Sequence, residues 1–223
     1  MPVAPVKARA DRDPPPARRY VWDMSIFDGT SVRFGLPAGF RVGLYEIGER
    51  LGSGWTAEAY RCREVPTGAP RAFKIYDRFD ERQAILNLRM VAQCAAVLEQ
   101  LGDLRILPRY HHMGHVFLQP GDGIGHYYLV QELIEPGEMP LDQCSPDQVR
   151  AFLTKVRGVH RLGLALGDLE RDNLVVTSAG EIRMVDCDYG RPGRPNTAFG
   201  SDVAALRRLF KAQDFKALWA ELA

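Results

Sequence analysis

The chain has 223 residues, 46% of them hydrophobic and 26% charged, with a formal net charge of +1. That length allows one domain or two small lobes with a true core, and the near-neutral charge gives no reason to expect nucleic acid or an anionic membrane as partner. No apolar run reaches the roughly 20 residues of a membrane span, and the N-terminus lacks the apolar centre of a signal peptide.

Residues 1–20 hold five of the 15 prolines, many charges and almost no bulky apolar side chains. Such a segment buries too little surface to offset its ordering entropy, so a disordered tail is expected there. It reads as a passive tail, with a secretion or docking signal as the second reading. An N-terminal extension over residues 21–44 follows, with Trp22, Phe27 and Phe34 as candidate anchors. Strand signals begin at Tyr45, where Tyr45–Leu51 alternates apolar and polar residues. Gly52-Ser53-Gly54 breaks the alternation, Ala57–Cys62 resumes it, and Pro66-Thr67-Gly68 turns the chain into a third strand, Arg71–Tyr76.

A long helix is expected from about Asp80 to Leu101. Ile85, Leu88, Ala92, Ala95 and Glu99 form one stripe, and Leu86, Met90, Val97 and Leu101 a second. Gly102 ends it. Strands near Tyr110–Leu118 and His126–Glu132 flank a Pro120–Gly123 turn, and Pro136-Gly137 marks a boundary. Ser145-Pro146-Asp147-Gln148 has the cap, the first-position proline and the third-position amide of a helix start. Val149, Phe152, Leu153, Val156 and His160 line its buried face. Leu174–Thr177 and Ile182–Val185 read as a hairpin turning at Ala179-Gly180, and Ser201 as the cap of a last helical region. Strands with one helix, a hinge and then mostly helices define an α+β chain of two lobes. Cys62, Cys94, Cys144 and Cys187 are scattered without a CxxC pair, the pattern of reduced thiols in a cytosolic compartment. His111, His112 and His115 lack a cysteine at ligand spacing and read as an exposed strand or turn.

The chemistry concentrates on the hairpin. Asp168 precedes Asn173 by five positions, and Asp186-Cys187-Asp188 closes the second strand. An Asp set against a hydroxyl can accept its proton, while an Asn and a second Asp can hold the magnesium that neutralises phosphates. Upstream, Gly52-Ser53-Gly54 offers backbone amides without side-chain obstruction, and Ala72-Phe73-Lys74-Ile75 sets a lysine among apolar residues.

Glycine loop, strand lysine, long helix, hinge, Asp-x4-Asn and a final Asp, in that order, resemble the protein-kinase-like phosphotransferases from about Tyr45 to Phe210. The resemblance implies a bilobal fold, with a small antiparallel N-lobe and hinge over 45–134 and a minimal, mostly helical C-lobe over 135–223. It implies ATP and Mg2+ as cofactors. Lys74 would hold the phosphates, Asp168 would be the catalytic base, and Asn173 and Asp186 the metal ligands. Backbone groups of Glu132 and Ile134 would meet the adenine edge, with Gln131 behind the base. Glu81 or Glu99 would pair with Lys74, and Glu99 is preferred. Gly200-Ser201-Asp202-Val203 resembles the start of the helix whose Asp braces the catalytic loop.

Departures from the family pattern shape the rest. Leu166-Gly167-Asp168 stands in place of His-Arg-Asp and Asp-Cys-Asp in place of Asp-Phe-Gly, both closer to bacterial and sugar kinases. No Ala-Pro-Glu segment follows the short loop at 189–199, as in compact bacterial effector kinases. The expected function is transfer of the γ-phosphate to Ser or Thr of a protein, with host proteins and an activating partner among the candidates. A small-molecule or lipopolysaccharide sugar kinase is the alternative, and a partner-binding pseudokinase the third reading. Localisation is expected to be cytoplasmic, with secretion into a host cell as the second reading.

Overall fold

The computed structural model describes residues 34–54, 57–77, 81–118, 125–186, 195–211 and 214–222. The tail over 1–20, Trp22, Phe27, the turn at 120–123, Cys187 and most of the 189–199 loop lie outside these residues.

Six strands build one antiparallel sheet: β1 (Arg41–Val42), β2 (Tyr45–Ser53), β3 (Ala57–Glu64), β4 (Pro70–Tyr76), β5 (Tyr110–Val116) and β6 (His126–Glu132), in the order β1-β2-β3-β4-β6-β5. Helix α1 (Glu81–Gln100) packs on β5 and β6. The second lobe comprises α2 (Pro146–Arg161), the hairpin β7 (Leu174–Val176) and β8 (Ile182–Met184), α3 (Pro195–Leu209) and α4 (Phe215–Glu221).

Strand alternation sorts the sheet's side chains onto two faces. Ala57, Tyr76 and Leu129 join Val91, Cys94 and Leu98 of α1, and through Leu101, Ile106 and Leu107 the core continues into Phe152, Leu153, Val156 and Met184 of the helical lobe. Full burial of an aliphatic or aromatic side chain of this size contributes about 1.5–3 kcal/mol. The opposite face carries Ile47, Tyr60, Cys62, Phe73, Ile75, Tyr128 and Val130, with Phe73 stacked on Tyr128 at a centroid separation of 4.9 Å. That outer face is covered by Phe34, Leu36 and Val42. Phe34, Leu36 and Val42 of the extension thus pack on the sheet, Phe34 as an expected anchor, and Arg41–Val42 add the short edge strand β1.

Two local readings change. In α1, Leu88, Ala92 and Glu99 are exposed, while Val91, Cys94, Ala95, Leu98 and Leu101 are buried. The helix turns Val91, Cys94 and Leu98 inward, so of the stripe read through Leu88, Ala92, Ala95 and Glu99 only Ala95 is buried. Ser201 is not a cap; it lies inside α3, which starts at Pro195, a residue whose fixed φ suits a first helical position.

The start of α2 follows its sequence. Gln148 N donates to Ser145 Oγ at 3.3 Å and Ser145 N donates to Gln148 Oε1 at 2.8 Å, a reciprocal capping box. Gln148 Nε2 also donates to Gly180 O at 2.8 Å, which ties the helix start to the β7–β8 turn. Behind the hinge, Gly137 N donates to Val176 O at 2.6 Å. A Cβ on Gly137 would meet Thr177 C at 2.8 Å, so glycine permits this close approach.

Candidate active site

Lys74 lies opposite Ala59 of β3 and Leu129 of β6. Its neighbours Phe73 and Ile75 are fully buried on the outer face, so the period of the strand fixes Lys74 on the side of α1. Lys74 Nζ donates to Asp186 Oδ1 at 2.6 Å, with side-chain exposures of 18% and 38%. The pair joins the sheet to the segment that leaves β8, so it spans the two lobes.

Asp168, Asn173 and Asp186 are brought together by the β7–β8 hairpin. Asn173 Nδ2 donates to Asp168 Oδ2 at 2.8 Å and to Asp168 O at 3.0 Å. Val185 N donates to Asn173 O at 2.9 Å, which fixes the backbone just before Asp186. Gln131 Nε2 reaches Val185 O at 3.4 Å from β6. Asp168 is exposed and has φ of +44°, a left-handed conformation that is costly for any residue with a side chain.

Asp202 holds that loop in place. Its side chain is 1% exposed. Leu166 N donates to Asp202 Oδ2 at 2.8 Å and Gly167 N to Asp202 Oδ1 at 3.0 Å, immediately before Asp168. His160 Nε2 lies 2.9 Å from Asp202 Oδ2. The bracing role that the resemblance implied for Asp202 has this geometry. His160, read from its period as a buried-face residue, is the imidazole beneath the loop, whereas Leu166 is an apolar core residue.

The hinge is also more elaborate than its sequence suggested. Glu132 N donates to Arg109 O at 2.8 Å, and the Glu132 side chain receives Arg183 Nη1 at 2.7 Å, Arg183 Nη2 at 2.9 Å and Arg109 N at 3.0 Å. Buried Arg183 donates further to Leu107 O at 2.7 Å. Burial alone would raise the Glu132 carboxyl, but the hydrogen bonds from Arg183 and the Arg109 amide outweigh it and hold the group below its ordinary value. Arg183 sits between two apolar residues of a short strand, and all three are buried. Only the fold reveals its partner. Ile134 follows in the hinge and is buried.

The hairpin at Gly52-Ser53-Gly54 closes with Gly54 N donating to Ala57 O at 2.8 Å. A Cβ built on Gly52 would meet nothing within 4 Å, so its backbone borders open space. Ser53 Oγ is engaged by Arg50 Nη2 at 2.5 Å.

Glu99 does not join this group. It is exposed near the end of α1, and the carboxylate at Lys74 is that of Asp186. Among the described side chains of α1, Cys94 is near the pair, a buried thiol that burial pushes up to about 12, with Lys74 and Asp186 as opposing smaller influences. Glu81 is the first residue of α1, and its side chain lies outside the described residues. His111, His112 and His115 are exposed on strand β5, as expected.

The donor set suits a hard cation. An Asp carboxylate and an Asn side-chain oxygen stand on one hairpin, and among the described residues no cluster of three His, Cys, Asp or Glu forms a complete protein cage. Magnesium characteristically takes one or two protein oxygens and fills its octahedron with phosphate and water. Lys74 beside Asp186, under a hairpin with open space at Gly52, fits a phosphate chain.

No family model matches the chain. It is 29% identical over 153 residues to serine/threonine-protein kinase PknL of Mycobacterium tuberculosis, covering 64% of this chain and 36% of that protein. It is 25% identical over 155 residues to CBL-interacting protein kinase 33 of Oryza sativa subsp. japonica, covering 66% of this chain and 32% of the relative. Protein kinase kin1 of Schizosaccharomyces pombe is 24% identical over 197 residues, or 78% of this chain and 22% of kin1. Among solved structures, the PpkA-294 apo form matches with a TM-score of 0.53 and 16% identity, over 81% of this chain and 66% of that one. The fold is therefore that of a protein-kinase-like α+β chain. In sequence as well as fold, the chain resembles the protein-kinase-like phosphotransferase superfamily, and it spans between 22% and 36% of the length of these curated relatives.

Proposed function

We propose that the chain is an ATP- and Mg2+-dependent kinase that transfers the γ-phosphate to a Ser or Thr hydroxyl of a protein. The observation that carries the reading is the 2.6 Å Lys74–Asp186 pair across the two lobes, with Asn173 and Asp168 hydrogen-bonded beside it. Lys74 binds phosphate oxygens as a compact cation. Asn173 and Asp186 are the residues that would hold magnesium, whose positive charge would offset that of the phosphates. Asp168, exposed and oriented by Asn173, receives the proton of the attacking hydroxyl. The amide of Glu132 is spent on Arg109, so its carbonyl, with the Ile134 amide, is the hinge group for the adenine edge. Gln131 stands behind the base. The protein substrate is inferred from the names of the relatives, which are protein kinases.

The experiment is incubation of the full chain with labelled ATP and magnesium, with generic protein substrates and with sugars, beside Asp168→Ala. Transfer to protein Ser or Thr that Asp168→Ala abolishes supports the reading. Transfer to sugars alone overturns the substrate class. A second reading, nucleotide binding without transfer, is favoured by one observation: Glu99 is exposed, so it does not hold Lys74 in place. MgATP binding with no transfer to any acceptor would establish it.

A further inference from the structure

We infer that Glu58 and Arg50 form a relay from the docked N-terminal segment to the Gly52–Gly54 hairpin, and that both are positioning residues for nucleotide binding, an inference that rests on the reading of that hairpin as a phosphate cradle. Glu58 has a side-chain exposure of 1%. A buried carboxylate persists only when its oxygens are fully supplied with donors. Its two oxygens face different segments. Oε2 accepts from Phe34 N at 2.5 Å, Gly35 N at 3.2 Å and Tyr60 Oη at 2.6 Å. Oε1 accepts from Arg50 Nε, and Arg50 Nη2 continues to Ser53 Oγ at 2.5 Å. Leu36 N donates to Tyr60 Oη at 2.9 Å, so the same phenol also seats the segment.

The register explains how Arg50 reaches both groups. Ser53 pairs with Glu58 and Gly52 with Ala59, and β2 is irregular between Ile47 and Arg50 and again between Arg50 and Gly52. These irregularities bring Arg50, opposite Tyr60, onto the face that Ser53 and Glu58 share. That is the outer face, away from Lys74. The one side chain of Gly-Ser-Gly is therefore anchored from behind, and Gly52 borders open space on the other side. Among the described residues, the hairpin's height over the site is set from the outer face. Glu58 draws two of its donors from the N-terminal segment. Displacing that segment leaves the carboxylate short of donors and draws Arg50 away from Ser53.

The test compares the full chain with Arg50→Gln, Ser53→Ala and Glu58→Gln by amide hydrogen exchange without nucleotide, and by MgATP binding and kinetics. Arg50 is 44% exposed, so Arg50→Gln is expected to fold even where Glu58→Gln does not. Loss of a charge-assisted hydrogen bond corresponds to about a tenfold effect. Exchange at 50–57 is expected to rise about tenfold in Arg50→Gln, with β5, β6 and α2 unchanged. KM for MgATP rises by about the same factor, with a smaller change in kcat. Loop exchange and MgATP affinity both equal to wild type would overturn the relay, and so would a uniform rise in exchange across the chain with a lowered Tm, which marks a merely structural carboxylate. Should wild type bind no nucleotide, the phosphate-cradle reading falls, while the exchange arm still decides whether the relay orders the hairpin.

Discussion

Asp202→Asn separates bracing of the loop before Asp168 from ordinary core packing. The substitution keeps the size of the side chain and removes one acceptor. Leu166 N and His160 Nε2 converge on Oδ2, while Gly167 N takes Oδ1. An Asn can present its oxygen to one backbone N–H, and its NH2 then faces the other. Since the Leu166 bond is buried and the Gly167 bond is partly buried, the favoured orientation keeps Leu166 satisfied and strands the Gly167 amide. One unsatisfied buried donor costs about 1–3 kcal/mol, and for a domain of this size each kcal/mol moves Tm by about 2–4 °C. Thermal unfolding of Asp202→Asn is therefore expected about 2–12 °C below wild type. The stranded amide belongs to Gly167, which holds a φ of +59° beside the +44° of Asp168. Phosphoryl transfer is expected to fall about tenfold or more while MgATP affinity stays within about threefold, because Lys74 and the hairpin at Gly52 are untouched. A Tm within about 1 °C of wild type, or a loss of affinity equal to the loss of transfer, would refute the reasoning.

Acid should dissolve the Glu132–Arg183 pair. The carboxyl is held below its ordinary value of 4.5, so its contribution is fully present above that value and is lost as pH falls through the lowered one. The stability gap between wild type and Glu132→Gln, measured by urea unfolding, should be largest near neutrality and close at low pH; a gap independent of pH would contradict this. Gly52→Val should fold, since a Cβ there meets nothing within 4 Å, yet lose MgATP affinity about tenfold or more; unchanged affinity would remove Gly52 from the site. Ser145→Ala should cost about 1 kcal/mol through loss of the capping box, measured by chemical denaturation, and unchanged stability would show the cap to be redundant. Its neighbour Gln148, which also holds Gly180, should cost more when replaced by Ala.

The elements that sequence revealed are those with local signals. Ser145 and Gln148 announce the start of α2 three residues apart, and the turn at Gly180 is visible as composition, whereas the break read at Gly52 comes too early because β2 continues through Ser53. Asp168, Asn173 and Asp186 stand out because their spacing is a chemical pattern. What escaped is non-local. Arg183 meets Glu132 from 51 positions away and Arg50 needs an irregular strand to reach Ser53, and no periodicity encodes either. Glu99 was misplaced for a related reason: the face of α1 that meets the sheet is centred on Val91, Cys94 and Leu98, which belong to neither of the two stripes read from the periodicity. His160 was legible as an inward position and is partly buried, but its partner Asp202 lies on another helix.

The Glu132–Arg183 pair bears on the mechanics of the joint between lobes. Leu107, Arg109, Glu132 and Arg183 come from the segment after α1, the end of β6 and β8, and they meet in one knot of hydrogen bonds. The knot ties the end of β6 to β8, so drawing either strand away from the other breaks charge-assisted hydrogen bonds. The exposed Arg61–Glu135 contact just beyond it is readily broken by water and salt. Salt is therefore expected to loosen the Arg61–Glu135 contact while buried Arg183 stays paired with Glu132.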